Sequence, residues 1–162
     1  MREILFRGKR VFSQKFVEGS LIRYGEYCCI LPQEGVLHPM DEPYLDPEYG
    51  TFDGKADPVD PETVGQFTGL KDKNGKRIFE GDLLRLPPKD EWEKSNFAAF
   101  EVFWHDNDAC DQHIGWQIDL LHFQGALCGL DYYPIRFIPK WANRMEIIGN
   151  IYDNPELIGG AK

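Results

Sequence analysis

The densest collection of chemistry-bearing side chains is His105-Asp106-Asn107-Asp108-Ala109-Cys110-Asp111-Gln112-His113. Histidine, cysteine and aspartate together would ligate zinc, and an open coordination position would polarise a bound water for hydrolysis. The spacing builds no closed four-ligand set, and one cysteine contributes. Asp106, Asp108 and Asp111 also imitate the start of a calcium loop, but the sixth position is not glycine and the twelfth is not glutamate. A polar hairpin loop between two strands accounts for the same residues, so no metal and no cofactor is assigned.

Glu80 and Asp82 flank Gly81. Paired carboxylates serve as general acid and base when their surroundings drive their pKa values apart. Around a turn they have a simpler use, with Gly81 supplying a permissive backbone and Asp82 accepting backbone N–H groups. Asn150, Asp153 and Asn154 repeat the ambiguity: Asn154 before Pro155 reads as a helix cap, and Asn150 as a group satisfying a strand edge. No Ser-His-Asp order, nucleophile elbow, Walker loop or dinucleotide fingerprint occurs, and no catalytic residue is assigned. The aromatics Trp104, Trp116, Tyr132, Tyr133, Phe137 and Trp141 have two readings. They fill a sheet core, or some of them, Trp104, Trp116 and Trp141 first, line a groove for a peptide or unpaired bases.

The elements that would position these groups are strands. Glu3 to Arg7 alternates, with Ile4 and Phe6 on one face; Phe16–Tyr24 and Tyr27–Leu31 complete an N-terminal antiparallel meander over 1–32. Gly19 inside the second strand predicts a bulge or a close neighbour. Such a sheet cannot bury both faces alone and must pack on the rest of the chain or on another subunit. Residues 33–62 form an acidic, Pro-rich insertion in which prolines forbid any long regular element. From Thr63 the strands return: 63–67, 81–86, 98–104, 115–120, 135–138 and 145–152, with a 3₁₀ turn at Trp141–Arg144. Asn74-Gly75 predicts a hairpin with a type I′ turn, and Gly81 a second corner. The expectation for 63–162 is a small SH3-like β-barrel, within a mainly β chain of few short helices.

The formal charge of −9 argues against a protein that simply coats nucleic acid. The acidity is local, since Glu34, Asp41, Glu42, Asp46, Glu48, Asp53, Asp57, Asp60 and Glu62 face Lys55 alone in the insertion. A modest basic face elsewhere would draw on Lys71, Lys73, Lys76, Arg77 and Arg85. No run approaches the ~20 apolar residues that cross a bilayer, and no apolar leader follows the N-terminus. Cys28, Cys29, Cys110 and Cys128 read as reduced thiols of a cytoplasm, one or two of them buried.

Three segments also resemble the YopX family of phage and prophage proteins. They are Met1 to Arg10 (MREILFRGKR), Phe67 to Asp82 (FTGLKDKNGKRIFEGD) and Ile148 to Leu157 (IGNIYDNPEL). Leu5 departs from the family pattern, where a polar residue is usual, and 33–60 and 87–140 are its variable parts. The family has no established activity, so the resemblance implies lineage and a YopX-like domain, and brings no catalytic residues. Its motif glycines and polar residues, Gly69, Asn74, Gly75, Gly81, Asp82, Gly149, Asn150 and Asn154, read as structural.

Three functions are compatible with these features. The first is a non-enzymatic, homo-oligomeric phage or prophage accessory protein in the bacterial cytoplasm that engages a host or phage protein. The second is a nucleic-acid module, acting through the five cations or through the acidic loop as a mimic of a phosphate backbone. The third is a metal-dependent hydrolase centred on His105, Cys110 and His113.

Overall fold

The computed structural model describes residues 3–32, 45–46, 51–52, 56–91, 98–106, 114–123 and 135–158. The chain is mainly β and divides into two compact units, Met1–Phe67 and Thr68–Lys162.

In the first unit β1 (Phe6–Lys9), β2 (Phe16–Tyr24) and β3 (Tyr27–Pro32) form the expected meander. Two-residue strands β4 (Leu45–Asp46) and β5 (Thr51–Phe52) pair with each other. The end of the Pro-rich stretch becomes β6 (Asp57–Val59), which pairs with β3 through Cys28↔Val59, Cys29↔Pro58 and Ile30↔Asp57. The sheet order is β6-β3-β2-β1, followed by the first half of β7 (Gly65–Lys71).

The end of β1 then rolls back onto β6. Val11 donates its N–H to the Pro58 carbonyl at 3.0 Å, Asp60 donates to the Lys9 carbonyl at 2.9 Å, and Arg10 bridges Val59. Arg10 clamps the Asp57 carboxylate with two N–H groups, at 2.8 and 3.1 Å. Rolling encloses Val17, Cys28, Ile30 and Val59, with Phe6, Leu21 and Val64 against them. This is how a small meander buries a second face. Leading into β1, Leu5 and Arg7 are buried and Ile4 is 67% exposed, while Phe6 packs against this core. Gly19 does meet a close neighbour, since a Cβ there would stand 1.9 Å from the Leu31 carbonyl oxygen.

In the second unit the rest of β7 pairs with β8 (Arg77–Phe79), and a five-stranded sheet runs β12-β11-β10-β9-β13. Its strands are β9 (Asp82–Arg85), β10 (Ala98–His105), β11 (Gly115–Phe123), β12 (Ile135–Arg136) and β13 (Glu146–Asn150). Ile78, Leu84, Val102, Trp116, Ile118, Phe137, Ala142 and Met145 form the core. Among the described residues no sheet closes into the barrel expected over 63–162: the five-stranded sheet is open, with β12 and β13 as its edges. β12 is too short to carry a ladder further, and Pro139 turns the chain into helix α1 (Pro139–Ala142) just beyond it. The helical turn before the last strand therefore starts earlier than Trp141, because proline is pre-organised for the first helical position.

Candidate interaction surfaces

The β7–β8 hairpin turns at Asn74-Gly75, but not as a type I′ turn. Gly75 has φ 80°, whereas Asn74 is not in the positive-φ region. Gly75 donates to the Asp72 carbonyl at 2.9 Å and Asp72 to the Lys76 carbonyl at 2.8 Å. This is a three-residue loop, a turn followed by a left-handed glycine.

Asp72 explains the difference. Its carboxylate accepts the N–H groups of Asn74 at 2.8 Å and Lys76 at 2.9 Å, then that of Ile147 on β13 at 3.3 Å. Burial pushes the Asp72 carboxyl up, but donation from Lys76, Ile147 and Asn74 overrides it and leaves the pKa below its ordinary value. Beside it, Glu146 takes Lys73 at 2.5 Å and Arg85 at 2.7 Å, and these two cations lower its pKa. The β7–β8 turn, β9 and β13 thus meet in one polar joint. Asp72 was not singled out in the sequence; an aspartate two residues before Asn-Gly is the signal that points to such a turn.

The second corner is built similarly. The Asp82 carboxylate is 1% exposed and accepts the Phe79 N–H at 2.8 Å, so it serves the backbone. Gly81, at φ 77°, donates to Val102 at 2.8 Å and accepts from Ile151 at 2.9 Å. In the terminal box the Asn150 side-chain oxygen accepts the N–H groups of Tyr152 and Asp153, each at 2.9 Å. Asn154 does not cap the turn Pro155–Leu157 with its side chain. It accepts the Asn150 N–H at 3.2 Å instead, lying where a Cβ on Gly149 would be 2.2 Å from its oxygen. Gly69, with φ 83°, bends β7 beside Thr68, whose hydroxyl donates to the Ile78 carbonyl at 2.8 Å.

Of the five cations proposed for nucleic acid, Lys73 and Arg85 are the ones committed to Glu146. Glu101 lies opposite Asp119 across the β10–β11 ladder, and burial first, then Asp119 and Glu80, raise its pKa. Among the described residues no group of three His, Cys, Asp or Glu is arranged to hold a metal. His105 ends β10, whereas Cys110, His113 and most of their loop lie outside the described residues, as do Cys128, Tyr132 and Tyr133. No helix among the described residues is long and apolar enough to cross a membrane.

Trp116 belongs to the core, and Trp141 packs on it with Arg144 5.7 Å from its ring. Trp104, 44% exposed, stands edge-on to its cross-strand neighbour Trp116 at 5.0 Å. Ile114, 59% exposed, immediately precedes β11 at the same hairpin end.

A second apolar surface lies in the first unit, and sequence reasoning missed it. The β1–β2 turn carries Val11 and Phe12, and Phe12 is 82% exposed. Arg10 donates to the Lys15 carbonyl at 3.0 Å and Gln14 to the Arg10 carbonyl at 2.9 Å; the Gln14 amide donates to Val11 at 3.1 Å. Gln14 takes φ 57°, a left-handed conformation costing a residue with a Cβ about 1–2 kcal/mol. Phe12 is therefore presented outward by a hydrogen-bonded, strained turn. Beside it Val11, Phe12, Tyr27, Pro58, Pro61 and Glu26 line a groove of ≈ 240 Å³. The signal in the sequence was Val11-Phe12-Ser13, two apolar residues inside a turn between strands.

The YopX protein family model matches residues 38–159, well over half of the chain. The match starts after the Met1–Arg10 segment that carried part of the resemblance. No curated protein matches the chain. Among solved structures, the crystal structure of protein EF1440 from Enterococcus faecalis has a TM-score of 0.55 at 22% identity, over 98% of this chain and 99% of that one. At that identity the likeness is one of fold.

Proposed function

Because the chain belongs to the YopX family, we propose that it is a phage or prophage protein of the bacterial cytoplasm that acts as a non-catalytic, self-associating protein-interaction module. The observation that supports this most is that each unit carries exposed apolar side chains: Val11, Phe12 and Tyr27 on the first, Trp104 and Ile114 on the second. Clustered exposed aromatics favour association, because each buries a large area at a low entropy cost. Self-association falls to the hairpin end with Trp104 and Ile114, and a host or phage protein to the first-unit surface.

The nucleic-acid reading is weaker, because the joint at Glu146 neutralises Lys73 and Arg85. Quantitative affinity capture from the native host during phage induction tests the proposal. It predicts a protein enriched by the wild-type chain and lost with Phe12→Asp. A monomeric chain that enriches nothing over that variant contradicts it.

A further inference from the structure

We infer that the first-unit groove docks a partner polypeptide through one large apolar side chain flanked by a lysine or arginine. This rests on the interaction-module reading above and names the partner's chemistry. Three observations carry it.

The first is size. At ≈ 240 Å³ the groove falls short of the roughly 300–1,000 Å³ of pockets that enclose metabolite-sized ligands. It suits a side-chain anchor. Its Pro58 and Pro61 walls are held by the Val11–Pro58 bond and the Asp60-capped turn Pro61–Thr63, so little ordering is needed on binding.

The second is presentation. Gln14 holds a left-handed backbone in a turn whose outcome is an exposed Phe12 at the groove mouth. Strain kept in an ordered segment is a pointer to function. Phe12 and Tyr27, the latter 50% exposed, would close over an anchor from the two hairpin turns, β1–β2 and β2–β3.

The third is charge. Glu26, in the β2–β3 turn, is the one charged residue among the described residues lining the groove, and no described cation pairs with it. The Arg10 guanidinium nearby in sequence is already clamped on Asp57. An incoming lysine or arginine would complement Glu26, while an acidic segment would be repelled. A strand-addition mode is disfavoured here, because β6 is bonded on one side to β3 and on the other to Lys9–Val11.

The test pans displayed random peptides against the immobilised full chain, then measures the consensus peptide by fluorescence anisotropy. The expected consensus has a large aliphatic or aromatic residue with Lys or Arg close by. Its affinity should fall about tenfold or more on Phe12→Asp, and Glu26→Lys should shift the selected consensus to acidic residues. Both positions are exposed, and unchanged thermal unfolding of the variants certifies their fold. A consensus without a basic residue, or one bound equally by Phe12→Asp, overturns the inference. So does failure to enrich any peptide, and if Phe12→Asp then also abolishes self-association the groove belongs to a second copy. Loss of self-association in Trp104→Asp with peptide binding intact leaves this inference standing and bears on the other surface alone.

Discussion

The Asp72 carboxylate accepts the N–H of Ile147 across 75 residues of chain, at 3.3 Å. Through this bond the hairpin turn and the last strand hold each other in register. Asp72 is 5% exposed, and its removal takes the side-chain acceptor from the part-buried N–H groups of Asn74, Lys76 and Ile147. Asp72→Ala should cost about 2–4 kcal/mol in urea unfolding. A loss within experimental error would show that the joint does not hold β13.

The terminal box makes a sharper prediction. Gly149→Ala would drive a methyl group into the Asn154 side chain and displace it from the Asn150 N–H. The expected loss is about 2 kcal/mol or more. Asn154→Ala removes the same bond and also the obstacle. The double variant should therefore be more stable than the sum of single losses implies, by about 1 kcal/mol. Strict additivity in a denaturation double-mutant cycle would contradict the packing.

Acid should weaken the second unit. Glu146, held low by Lys73 and Arg85, and Asp72, held low by backbone N–H groups against the pull of burial, bind protons less readily folded than unfolded. The stability they contribute is present above the ordinary carboxylate range of about 4 and is lost as pH falls through their depressed values. Glu101 has the opposite sign. Burial, Asp119 and Glu80 raise its pKa, so the folded state binds its proton first and stability declines as pH rises through the raised value. Glu101→Gln should thus be more stable than wild type at neutral pH, with the gap closing below about pH 4. Urea unfolding across pH reads both effects, and an acid-stable Asp72 or a neutral-pH loss in Glu101→Gln would contradict them.

Cys28 and Cys29 are free and buried, at 6% and 1% exposure. Burial, then Cys28 and Asp57, push the Cys29 thiol up to about 12, and the thiolate is the reactive form. Alkylation followed by peptide mass spectrometry should find both unmodified at pH 8 until the chain unfolds. Rapid native labelling of Cys29 would place it nearer solvent.

Much of the fold was legible in local signals. Alternation and the glycine corners located the meander and the strands from β9 to β13, and Gly19 foretold its close neighbour. The turn type was not legible at Asn74-Gly75, because the dipeptide prefers one loop alone and Asp72 imposes another. That role depends on Ile147, far away in sequence. β6 was hidden by Pro58, which a strand tolerates where the missing N–H is not needed and its carbonyl is taken by Val11. Phe12 was hidden for a related reason: an apolar residue near a strand end reads as core, and only the bonded turn around Gln14 shows that it faces outward.

Sedimentation velocity over a wide concentration range, on the wild-type chain and Trp104→Asp, tests the interaction-module reading most directly. The account predicts a concentration-dependent species heavier than one chain for the wild type, and a single-chain species for Trp104→Asp with unchanged thermal unfolding. A wild-type chain that sediments as one copy at every concentration would contradict it.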